Sequence, residues 1–255
     1  MALSRQHKLI IISLVFYWTA LFILAHIPIP QLVRKAGVSD KGLHLLAYMI
    51  LAFLLFSAIN PYKKVNWRPR VFLSKTRAGV WWVLLVIVWY GVIDEVLQGY
   101  VAGRSCDIKD FVANLAGTLV GLIMLSVFTF WPACLVVTGV TIFGLTNIAR
   151  ANLADLLPRT NTAFHLFAYA LFTLLWIRYL YYFLSLKASN PKWLIVASVL
   201  PIGLLLAVKL GSLILGRSFA ITDVIVSAVG IIIVVGTIFL IAFFRQRFLQ
   251  TKDDG

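Results

Sequence analysis

In this chain of 255 residues 62% are apolar and only 13% charged, with a mean hydropathy of +0.96, a composition that excludes an ordinary soluble domain. The net charge of +14 is concentrated in the stretch PYKKVNWRPRVFLSKTR, which lies next to apolar runs. Attraction to anionic lipid accounts for it, at about 1 kcal/mol per basic residue near the surface, so no nucleic-acid partner is expected.

Taken in order, the apolar runs predict eight membrane-spanning helices over residues 9–25, 43–59, 79–97, 111–130, 133–148, 162–182, 193–215 and 224–244. The runs are continuous and do not alternate with period two, which excludes a β-barrel. The first run follows a basic start, but the HIPIPQLV after it has no small-x-small cleavage pattern and is expected to remain as a helix. Trp131 and Pro132 separate the fourth and fifth runs and predict a tight turn rather than one kinked helix.

Lys and Arg counts in alternating loops predict the orientation. Both termini and the basic loop at 60–78 fall on one side, expected to be cytoplasmic, in a multi-pass protein of the plasma membrane. Every acidic residue except Asp253 and Asp254 falls on the other side. Cys106 and Cys134 are then on opposite faces of the bilayer and cannot pair.

The sequence also repeats itself. LHLLAY (residues 43–48) is echoed by FHLFAY (164–169), and AGRSCDIKDFVANLAG (102–117) by LGRSFAITDVIVSAVG (215–230). The expected architecture is an all-α integral membrane protein of eight transmembrane helices in two parallel four-helix repeats, 1–130 and 131–255. His165, Tyr169, Arg217 and Asp223 keep His44, Tyr48, Arg104 and Asp110, but Ala220 replaces Asp107 and Ser227 replaces Asn114. The second copy therefore reads as degenerate.

In the first copy, DKGLHLLAY (40–48), DEVLQ (94–98), GRSCDIKD (103–110) and ANLAG (113–117) follow one another in order. This series resembles the VanZ-like family, in a tandem, two-copy version. The resemblance implies an integral membrane protein, with a founding member linked to teicoplanin resistance, and carries no chemistry with it.

The chemistry is read from the residues. His44 and Tyr48 share a helical face, as do Asp94 and Gln98, while Asp107, Asp110 and Asn114 form one stripe at the start of the fourth span. A charge within a span costs about 2.5–3.5 kcal/mol even on insertion scales, which favours one shared cluster over scattered groups. Each member also has a plainer role available: Asp110 as an N-cap, His44 and Tyr48 as an interfacial pair, Arg104 with Asp94 or Glu95 as a structural ion pair, and Gly117 with Gly121 as a helix-packing motif.

As a cluster, His44, Asp94, Glu95 and Arg104 are the candidate catalytic set. Tyr48, Gln98, Arg104, Asp107, Asp110 and Asn114 are the candidate ligand-binding set. No diagnostic spacing such as H-x-x-x-H or C-x-x-C occurs among them, so neither a metal nor a cofactor is expected. The expected function is recognition, at the outer leaflet, of an amphiphilic ligand such as an anionic or lipid-linked envelope precursor, contributing to glycopeptide tolerance. The alternative is a membrane-embedded enzyme acting on a lipid-linked phosphate or glycan by acid–base chemistry, with Arg104 as anion clamp.

Overall fold

The computed structural model describes residues 4–27, 39–61, 64–65, 75–149, 158–183, 188, 190–216 and 220–253. The predicted basic-loop residues Lys63, Arg68 and Arg70, and Arg217 of the expected second copy, lie outside these described residues.

Among the described residues the protein is all-helical, with eight helices long and apolar enough to cross a membrane. They are α1 (Arg5–His26), α2 (Asp40–Ile59), α3 (Lys75–Gln98), α4 (Ile108–Val127), α5 (Phe130–Gly144), α6 (Pro158–Phe183), α7 (Pro191–Ile214) and α8 (Ile221–Asp253). Each corresponds in order to one predicted span, and together they make a multi-pass membrane protein. One π turn, Leu145–Ala149, continues α5.

Local sequence explains the helix starts. Ser4 Oγ accepts from the His7 backbone N–H, Ser39 Oγ from that of Gly42, and Asn190 from that of Lys192 ahead of Pro191. The fourth and fifth helices are separated by a turn: Phe128 and Thr129 are extended, and Trp131 and Pro132 fall in the first turn of α5, where proline's missing N–H costs nothing.

The chain divides into two compact units, Met1–Asn152 and Leu153–Gly255. This division follows α5, whereas the sequence boundary at 130/131 falls in its first turn; α5 packs on α2 and α4.

In the first unit α2 is central, with 56% of its span buried against 11% for α1. Met49, Leu51, Ala52 and Phe56 of α2 meet Leu122 and Leu125 of α4 and Val83 and Ile87 of α3 in one apolar core. The α2–α4 approach is close enough that a Cβ at Gly117 would overlap the Leu45 carbonyl, and one at Gly121 would lie 2.6 Å from the Met49 carbonyl oxygen. Small residues at a helix crossing allow this contact between backbones.

In the second unit α8 packs chiefly on α6, with α7 against both. Here a Cβ at Gly230 would lie 2.7 Å from the Leu166 carbonyl oxygen. His165 Nδ1 lies 3.3 Å from Ser227 Oγ, and Asn161 Nδ2 donates to Asp223 Oδ1 at 2.6 Å. Gly103 in the first unit and Gly216 in the second both precede an arginine and both have positive φ, 80° and 62°.

Candidate functional site

The site is built at one end of the first unit, where α1 and α3 finish and α2 and α4 begin. His44, Tyr48, Asp94, Glu95, Gln98, Asp110 and Asn114 are all buried there. Buried polar groups in an apolar surround require partners, and most of these have them.

Each side chain is fixed by a neighbour on another helix or one turn away. His44 Nδ1 lies 2.9 Å from Asn114 Oδ1, so the ring N–H donates to the amide oxygen. The Asn114 amide in turn donates to Glu95 Oε1 at 3.4 Å, and the Asp107 backbone N–H to Glu95 Oε2 at 3.4 Å. Tyr48 Oη and Gln98 Nε2 both donate to Asp94 Oδ2, at 3.3 and 2.8 Å. His44 stands 3.9 Å from Glu95 and 3.8 Å from Asp40.

Asp107, rather than Asp110, is the N-cap of α4, its carboxylate accepting from the Lys109 backbone N–H at 2.9 Å. That bond, with the Lys41 ammonium beside it, holds the Asp107 carboxyl below the usual carboxylate range. Asp110 lies in the first helical turn, where the helix dipole favours a negative charge. Lys41 bridges the two, 3.1 Å from Asp107 and 3.0 Å from Asp110.

Arg104 contacts the end of α1. Positive φ at Gly103 turns the chain, but the Arg104 guanidinium donates to the carbonyls of Leu24 at 3.0 Å and Ile27 at 3.4 Å, at the end of α1. It thereby satisfies carbonyls that a helix end leaves unpaired, and it makes no ion pair with Asp94 or Glu95.

Two contributors were not among the candidates. Lys41 stands next to Asp40 in the DK pair and could have been taken from that motif. His26 places Nδ1 4.0 Å from Asp94 Oδ1 while donating to the Phe22 carbonyl at 2.8 Å. Its only signal was a histidine at the end of the first apolar run.

A cavity of about 360 Å³ opens from this cluster along α2. His44, Asp94, Gln98 and Arg104 line its polar end, and its walls are mainly apolar, including Leu21 and Leu24 of α1, Ala47 and Ile50 of α2, and Leu145 after α5. Among the described residues α1 and α5 both line this space without packing on each other.

Residues 4–129 match the family model VanZ/LLP1, which covers α1 to α4 and every candidate site residue. Over that stretch the protein is similar to the VanZ/LLP1 family. No curated protein and no solved structure matches the chain.

Proposed function

We propose that the first unit of this VanZ-like membrane protein recognises an amphiphilic ligand at the outer leaflet, taking its polar end into the His44–Asp94–Gln98 cluster and its apolar part into the slot along α2. One observation carries this reading: a cavity of about 360 Å³ whose lining is mainly apolar and includes His44, Asp94, Gln98 and Arg104. Binding sites for small molecules combine those features, and an amphiphile is the ligand that matches both ends.

The gap between α1 and α5 supports entry from the side, since an acyl or polyprenyl chain can pass from lipid into such a slot without crossing water. A lipid-linked envelope precursor has the required chemistry, and its capture would connect the protein to glycopeptide tolerance of the teicoplanin type. The second unit, with Ala220 and Ser227 in place of Asp107 and Asn114, serves in this reading as a degenerate copy with both chain termini on the cytoplasmic side.

The test is mass spectrometry of lipids that co-purify with the wild type and with Ala47→Phe, which fills the slot without altering a polar group. One lipid class enriched with the wild type should be lost from the variant. An identical lipid profile in both would overturn the reading. If His44→Gln retains the lipid but abolishes its chemical conversion, the enzyme alternative takes its place.

A further inference from the structure

We infer that His44, Asp94 and Glu95 together hold a divalent metal ion at the polar end of the first-unit cavity. The spacing along the chain gave no such indication because the donors come from two helices, α2 and α3. In the fold, one ligand atom from each of the three residues lies within 4.8 Å of the others. Three donors held about 2.0–2.2 Å from one ion stand about 3.3–3.8 Å apart, so closure by up to about 1 Å completes the set.

Charge makes the strongest case. Asp94 and Glu95 are adjacent and buried, at 1% and 4% exposure, and among the described residues no ammonium or guanidinium pairs with either. Lys41 is occupied by Asp107 and Asp110, and Arg104 by the end of α1. Two carboxylates in a membrane span need a counter-charge, and a divalent ion supplies it at one point.

A second observation points to the same place. Asp94 Oδ1 is buried without a hydrogen-bond partner, and Asp94 lines the cavity. Its other oxygen is held by Tyr48 and Gln98, which orients the carboxylate and leaves Oδ1 available. His26 Nε2, on the ring beside Asp94, is likewise buried without a partner. One imidazole with two carboxylates suits an ion of the Zn²⁺ or Mn²⁺ kind better than Ca²⁺ or Mg²⁺, which favour all-oxygen shells.

This inference does not depend on the ligand reading, because ion binding is measured without a ligand. Full-length protein in detergent is stripped with chelator, equilibrated with Zn²⁺ alone or Mn²⁺ alone, and assayed for bound metal by elemental mass spectrometry. We expect about one ion per chain, with affinity lowered at least about tenfold in Asp94→Asn and Glu95→Gln and unchanged in Asp223→Asn of the second unit. Pulsed electron paramagnetic resonance of wild-type protein with Mn²⁺ adds a readout independent of variant folding, and imidazole nitrogen coupling is expected. Absence of bound metal in the wild type, unchanged affinity in Glu95→Gln, or a bound Mn²⁺ without nitrogen coupling would each overturn the site.

Discussion

Replacing Gly117 with alanine tests whether the backbone contact between α2 and α4 sets the geometry of the site. At Gly121, one turn further along α4, moving an added Cβ from 2.6 Å to an ordinary 3.4 Å from the Met49 carbonyl oxygen asks the helices to part by about 0.8 Å. Gly117 asks for more, because its Cβ would overlap the Leu45 carbonyl. Such overpacking costs about 1–3 kcal/mol, and alanine's better helix propensity returns about 0.5–1 kcal/mol, so net destabilisation of about 1–2 kcal/mol is expected. The damage should reach the site, since Leu45 follows His44. A separation near 0.8 Å would stretch the 2.9 Å bond between His44 and Asn114 beyond hydrogen-bonding range.

The assay is unfolding in mixed detergent micelles followed by circular dichroism, with Gly230→Ala and Gly236→Ala as a matched pair on α8. Gly230 meets the Leu166 carbonyl, whereas a Cβ at Gly236 meets nothing within 4 Å. Gly117→Ala and Gly230→Ala should unfold earlier than wild type, and Gly236→Ala at the same point or later. If Gly117→Ala unfolds at or above the wild-type midpoint, close backbone packing does not hold α2 against α4, and the account of the site's geometry fails with it.

The orientation predicts that Cys106, which is exposed, is labelled by an impermeant thiol reagent on intact cells, while a Lys64→Cys variant, at the other end of the first unit, is protected until the cells are opened. The reverse pattern would place both termini outside. The unequal polar sets predict that His44→Ala reduces lipid retention more than His165→Ala does, because only the first unit gathers Asp94, Glu95 and Gln98 around its histidine. Equal losses would show that the second unit carries a site of its own.

The sequence by itself determined the number and order of the spans, because an uninterrupted apolar run of about 20 residues fits the hydrocarbon thickness whatever its neighbours are. It also determined which residues share a helical face, since 3.6 residues per turn brings His44 over Tyr48 and Asp94 over Gln98. What it left open is how each helix is rotated against the next. In lipid the outward face is as apolar as the interior, so hydrophobic periodicity does not mark the buried side, as the exposed Trp81, Trp82 and Trp89 illustrate. Only the tertiary structure gave Arg104 to the carbonyls of α1, Lys41 to Asp107 and Asp110, and the first cap of α4 to Asp107. It alone brought His26 beside Asp94 and packed α5 with the first unit. These outcomes depend on distances between helices, and the closest of those distances is allowed by glycines whose role no spacing along one helix reveals.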